Sequence, residues 1–323
     1  MSPYLDPAAS RAHKTRNVIH SVVLIGGLGL LMGLCAWILW GWIGHLYALI
    51  AAAITILFGP RVAPEMVMRM YRARPVDRTR GGTLFQLVEE LARRAELPAM
   101  PKLYVVPSAA LNAFAVGRPD DASIAITQGL LRRLSLREVA GVLAHEMSHI
   151  RNNDLWIMGL ADTFSRITQM MSWVGIFLLI LNLPAALKGQ VVVPWLAVLL
   201  LYFAPTIGSL LQLALSRARE YDADLEGAQL TGDPTGLASA LDKLERYQGR
   251  FWEDMLMPGR RIPQPSLLRS HPPTEERVRR LLDLRRPELP PLRLPQRASP
   301  ADLLHGFVAM SPGPRFRWPG VWF

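Results

Sequence analysis

Two histidines stand four residues apart, with a glutamate beside the first, in His145-Glu146-Met147-Ser148-His149. On a helix, residues i and i+4 project from one face. Two neutral imidazoles one turn apart can therefore offer lone pairs to a single zinc ion. Glu146 would then lie beside the metal without ligating it. There it can take a proton from an attacking water and hand it to a leaving amine, which is the chemistry of peptide-bond hydrolysis. By itself the pattern also fits a surface helix with two solvated histidines.

A catalytic zinc usually has three protein ligands and an open position. One known arrangement supplies a histidine six residues after the second, behind a glycine, but those positions hold Leu155 and Asn152. The other supplies a glutamate from a later helix. Ser216-Arg217-Ala218-Arg219-Glu220-Tyr221-Asp222-Ala223-Asp224 offers one, with Glu220 and Asp224 again four apart. Glu220 can bind zinc, while Asp224 can hydrogen-bond the far nitrogen of a ligating histidine and orient it. Spacing alone leaves open a plainer reading, a charged helix in which Arg217 or Arg219 pairs with these acids.

These residues need elements to hold them. Ser135-Leu136-Arg137-Glu138 has the form of a capping box and predicts a helix starting at Ser135 that runs through the two histidines. Asp233-Pro234 predicts a second helix start, with proline at the first helical position. Leu84, Leu87, Val88 and Leu91 recur at helical spacing, so 83–96 reads as an amphipathic helix. Short strands are expected at 102–106, 113–116 and 123–127.

The charge map places those elements next to a membrane. The chain carries 36 Lys and Arg against 26 Asp and Glu, for a formal net charge of +10. Yet 17–59 contains no charged residue except histidine, and between Arg166 and Arg217 the only charge is Lys188. Such stretches cannot be the surface of a soluble domain. About 20 apolar residues cross the hydrocarbon core, so 17–59 is long enough for two crossings, with its turn at 41–45 beside Trp37, Trp40 and Trp42. A second pair is expected at 167–183 and 191–213. Arginines flank the outer ends of both hairpins and are missing from their turns, which predicts that both termini and the polar blocks are cytoplasmic. No module for nucleic acid is visible, so the basic charge reads as membrane topology. The single cysteine, Cys35, excludes an intramolecular disulfide. The first apolar run leads straight into a second, which does not fit a cleavable signal peptide.

Four blocks then occur in a telling order: Asn112-Ala113-Phe114-Ala115-Val116-Gly117, the two-histidine motif, 216–224, and His271-Pro272-Pro273-Thr274-Glu275-Glu276-Arg277. Together with the apolar hairpins, they resemble the HtpX-type membrane zinc metalloproteases. That family is similar to the CAAX-processing membrane metallopeptidases and, through the zinc helices, to thermolysin-like enzymes. The likeness covers most of 17–285. It implies a zinc-dependent endopeptidase of bacterial membrane-protein quality control and stress response. The enzyme would sit in the cytoplasmic (inner) membrane with its active site on the cytoplasmic side, carry one zinc per chain, and act on membrane or misfolded polypeptides. Residue by residue, it implies zinc ligation by His145, His149 and Glu220, a general base at Glu146, and support of a ligand by Asp224. His271 and Arg277 would lie near the metal and stabilise the oxyanion. Asn112 would line the substrate cleft on an edge strand, where a peptide binds by β-augmentation. Without the resemblance, Asn112 reads as a turn residue, His271-Pro272-Pro273 as a rigid helix entrance and Arg277 as one half of a surface ion pair. Asp154 is a further candidate to support the site, with no role assigned.

The expected fold is a mostly α integral-membrane protein. Two transmembrane helical hairpins, about four spans, would accompany a cytoplasmic zincin-like α+β domain with a small sheet. The expected divisions are 1–60 for the arm and first hairpin, 61–166 for the first catalytic block, and 167–215 for the second hairpin. A second catalytic block follows at 216–285, then a proline-rich, largely extended tail at 286–323 whose aromatic end could dock on the membrane. An intramembrane protease would need its metal helix inside an apolar span and a Leu-Asp-Gly partner motif, and the chain has neither. A silent adaptor would have lost catalytic groups, and all are present.

Overall fold

The computed structural model describes residues 7–58, 63–189, 194–255, 273–284, 292, 316–317 and 321–322. Its membrane part begins with α1, Pro7–Phe58, which is broken at Gly41 (φ 62°, ψ −145°). The break reverses the chain. Gly33 and His45 are twelve residues apart, about 18 Å along a straight helix, yet a methyl group on Gly33 would meet the His45 ring at 3.3 Å. Similarly, a methyl on Gly44 would run into the Ala36 carbonyl. α1 is therefore two arms folded against each other, and the turn falls at the glycine where it was expected.

Two further apolar helices follow, α6 (Asp154–Leu187) and α7 (Trp195–Thr231). Three helices are thus long and apolar enough to cross a membrane, over Val18–Leu57, Asp154–Pro184 and Trp195–Thr231. They pack through Leu28, Met32 and Ala36 against Phe164 and Leu215, and through Leu31 and Cys35 against Leu201 and Ala204. Their outer faces keep large apolar side chains exposed, among them Trp42, Trp173 and Leu196.

Both later helices extend beyond the expected apolar runs. α6 starts at Asp154, and α7 continues to Thr231, where Gly232 caps it in the left-handed conformation. Hydropathy marks only the part of a helix that meets lipid. The 37 residues of α7 rise about 55 Å against about 30 Å of hydrocarbon. One rigid element therefore carries both a membrane arm and the 216–224 block.

The polar part contains α2 (Pro64–Met70), β1 (Arg74–Pro75), α3 (Arg78–Arg94), β2 (Lys102–Val106), β3 (Ala113–Arg118), β4 (Asp121–Thr127), α4 (Gln128–Arg133) and α5 (Leu136–Arg151). After α7 come α8 (Pro234–Met255) and α9 (Thr274–Leu282). The sheet order is β1-β2-β4-β3, with β2 and β4 parallel and the outer pairings antiparallel. β3 is an edge strand and lies beside α5. Alternate residues of the sheet, such as Ile124 and Ile126, join Leu84 and Leu91 of α3 and Leu143 and Met147 of α5 in one buried core. The three expected strands and the 83–96 helix occur within a residue or two at most ends, except that α3 begins earlier, at Arg78, and bends at Gly82. The short elements α2, β1 and α4 were not foreseen, since each is too brief to show a period. Most of the 286–323 tail lies outside the described residues. Within it, Leu292 donates its backbone N–H to the Thr231 carbonyl, and β5 (Phe316–Arg317) pairs with β6 (Val321–Trp322).

Candidate metal centre

α5 is set by its cap. Ser135 Oγ accepts from the Glu138 N–H, and the Glu138 carboxylate accepts from the Ser135 N–H at 2.8 Å. Leu143, Met147 and Ile150 turn one face of α5 into the core. His145 and His149 face α7 instead. The two helices approach closely at Gly227, where a methyl group would sit 3.0 Å from the His145 backbone nitrogen. The residue before Gly227 on α7, Glu226, fastens the end of α5. Its carboxylate accepts from Ser148 Oγ, from Arg151 at 2.7 Å and from Asn152 at 2.6 Å.

This packing brings Glu220 between the histidines. His145 Nε2 and His149 Nε2 lie 3.2 Å apart, and the Glu220 carboxylate oxygens lie 3.5 Å from the first and 3.6 Å from the second. Each far nitrogen meets its own carboxylate: Nδ1 of His145 is 3.1 Å from Asp224, and Nδ1 of His149 is 2.9 Å from Asp154. Each of those carboxylates is gripped by a buried arginine. Arg277 makes two 2.7 Å bonds to Asp224, and Arg219 makes a 2.8 Å bond to Asp154.

The donor set fits a divalent cation. With each Nδ1 beside a carboxylate, the two Nε2 atoms are left facing each other, and lone pairs on both repel unless a cation sits between them. Tetrahedral zinc with bonds near 2.0–2.1 Å sets its ligand atoms about 3.3 Å apart, close to the three separations here. Charge points the same way. Asp154, Glu220 and Asp224 set three carboxylates against the two imidazoles beside Arg219 and Arg277, a concentration of negative charge that suits a cation. Burial disfavours a charged His149, but Asp154 and Glu220 outweigh burial and raise its proton affinity well above that of a free histidine.

The remaining expected site residues are distributed as follows. Glu146 is half-buried and near enough to Arg277 for their charges to interact. Arg277 is buried, not on the surface, and also lies 3.2 Å from Glu220. Asn112 immediately precedes the edge strand β3 and is pinned by Thr127, whose hydroxyl oxygen accepts from the Asn112 N–H at 3.0 Å. His271 lies outside the described residues. Residues 79–285 match the description of peptidase family M48.

The chain belongs to peptidase family M48. Relatives named Protease HtpX homolog include one from Methylibium petroleiphilum, 36% identical over 82% of this chain and 97% of its own length. Another, from Syntrophotalea carbinolica, is 39% identical over 82% of this chain and 98% of its own. Among solved structures, the S. mikatae Ste24p crystal structure aligns with a TM-score of 0.47 and 22% identity, covering 84% of this chain and 66% of that one. M48 membership and the long apolar helices make the protein a membrane metalloprotease.

Two groups escaped the sequence reading of this M48 site, and a third, Asp154, was noted there without a role. Asp154 reaches His149 because Asn153 adopts a positive φ of 55° and turns the chain between α5 and α6. The polar run Asn152-Asn153-Asp154 was the available signal, since asparagine tolerates that conformation. Arg219 was expected, on the plainer reading, to neutralise Glu220 or Asp224. It pairs with Asp154 instead, across two helices. Glu226 gave no signal beyond its charge.

Proposed function

We propose that this M48 protein is a zinc-dependent endopeptidase that cleaves membrane or misfolded polypeptides at the cytoplasmic face of the bacterial inner membrane, in protein quality control and stress response. His145, His149 and Glu220 hold the zinc, one ion per chain. The observation that carries this reading is the pair of Nε2 atoms facing each other at 3.2 Å with the Glu220 carboxylate closing the triangle. When bound, zinc supplies Lewis acidity for the scissile carbonyl and for the attacking water.

The chain's own residues supply the rest. Glu146, one position beyond His145 on the same helix, takes the proton from water and delivers it to the leaving nitrogen. Asp224 and Arg277 keep His145 in the tautomer that presents Nε2. Arg277, together with His271 as the family resemblance implies, offsets the charge that develops on the oxyanion. Substrate enters as an extended strand along the open edge of β3, beginning at Asn112, so that backbone pairing gives affinity with little sequence preference.

Four membrane crossings with both termini cytoplasmic suit the break at Gly41 and the arginine distribution. The arm from 42 to 58 rises about 25 Å, near the hydrocarbon thickness.

Substitution of Glu220 tests the ligand assignment. Glu220→Ala protein purified in detergent should lose zinc along with casein cleavage. One zinc per chain retained in that variant would refute the assignment.

A further inference from the structure

Asp154 and Arg219 form a buried pair that the proposed catalytic steps do not use. Asp154 is 2% exposed and Arg219 4%. One Asp154 oxygen lies 2.9 Å from His149 Nδ1, and the other accepts from Arg219 at 2.8 Å. The second terminal nitrogen of Arg219 donates to Ser21 Oγ in the first arm of α1. The guanidinium is therefore held at both ends, by α6 on one side and by the N-terminal membrane arm on the other. The arrangement repeats around His149 what Asp224 and Arg277 build around His145.

The Asp154 carboxylate, accepting from His149 Nδ1, orients the ring and makes Nε2 a stronger donor to a metal. Arg219, bonded to the other oxygen, holds that carboxylate in place. Arg219 directly precedes Glu220 on α7, so one helix turn delivers both a proposed ligand and the support for another.

We propose that Arg219 is a positioning residue for the metal. It holds the Asp154 carboxylate aimed at His149, and through Ser21 it makes the ligand geometry depend on docking of the first membrane arm. This rests on the zinc site proposed above.

The test is a double-mutant cycle on the full chain in detergent. It reads zinc affinity by competition with a chelator and the visible absorption of the cobalt-substituted protein. Arg219→Met should weaken zinc binding on the order of 10–100-fold and alter the cobalt spectrum. In an Asp154→Asn background the same change should cause no further loss, because Arg219 then has nothing to act through. Asp154→Asn/Arg219→Met has lost both charges of the pair, so it can be read even where Arg219→Met alone does not yield folded protein. Two results would overturn the proposal: wild-type zinc affinity and spectrum in Arg219→Met, or a further tenfold loss on adding Arg219→Met to Asp154→Asn, the mark of a purely structural role. Absence of zinc binding by the wild-type chain would instead defeat the metal site itself, so the two failures are distinguishable.

Discussion

Arg277 grips Asp224 with two parallel hydrogen bonds of 2.7 Å, both partners buried. Removing one partner of such a pair leaves an uncompensated charge, at a cost of about 3–5 kcal/mol. Arg277→Ala should therefore lower thermal stability and zinc occupancy together, with Arg277→Lys recovering only part because lysine cannot make the two-pronged contact. Measured melting temperature and metal content decide this. A variant that keeps both and loses only turnover would place the residue's contribution at the oxyanion alone.

Gly227 sets the spacing between the two halves of the site. A methyl group there would lie 3.0 Å from the His145 nitrogen and 3.1 Å from its Cα, and backbone on both sides cannot give way cheaply. Gly227→Ala should destabilise by about 1–3 kcal/mol, as overpacking typically does, and displace Glu220 from the histidines. Denaturant unfolding and zinc affinity should both fall; an unchanged pair of values would show that α7 can move aside.

The contact between α5 and α8 should fail in acid. Burial raises the Glu138 carboxyl, but Lys243, Ser239 and Ser135 outweigh it and hold it below the usual carboxylate range. Asp233 is likewise lowered, by Arg137, Thr235 and the Gly236 N–H against burial. A carboxyl depressed in the folded state contributes its stability above its unfolded pKa, about 4. That stability is lost as pH falls through the lower folded value. Glu138→Gln should flatten the acid limb of melting temperature against pH while leaving Lys243 without its partner at neutral pH. An acid limb identical to wild type would contradict this.

Much of this arrangement was legible beforehand, for identifiable reasons. The Ser135 cap, the alternating strands and the paired apolar runs are local signals, and each element formed where its period and its boundary residues required. Gly41 was readable as a turn because glycine loosens a helix, and its combination of φ 62° with ψ −145° is open to glycine and hardly to any other residue. The union of His149 with Asp154 and Arg219 was not legible. It depends on a positive φ at Asn153 and on how α6 and α7 pack, and no spacing in the sequence encodes either. Arg277 was legible only as a motif residue. Its burial follows from α9 closing on α7, a contact between segments more than fifty residues apart.

Thr127 holds the entrance to the edge strand. Its hydroxyl lies 2.6 Å from the Ala110 carbonyl and 3.0 Å from the Asn112 N–H, and it also caps α4. Thr127→Val removes these bonds from a part-buried site, a loss of about 1–3 kcal/mol. The expected result is a severalfold rise in KM for extended peptides with zinc content unchanged. A wild-type KM would argue that substrate does not use the β3 edge near Asn112.

The central claim is that a metal held by His145, His149 and Glu220 works with Glu146 as the base. Zinc content and casein hydrolysis, measured on the same preparations of wild-type and Glu146→Ala protein with and without a chelator, test it most directly. The expected result is one zinc per chain in both proteins, with chelator-sensitive cleavage by the wild type alone. Substantial peptide-bond cleavage by Glu146→Ala, or wild-type cleavage that survives complete removal of zinc, would contradict the account.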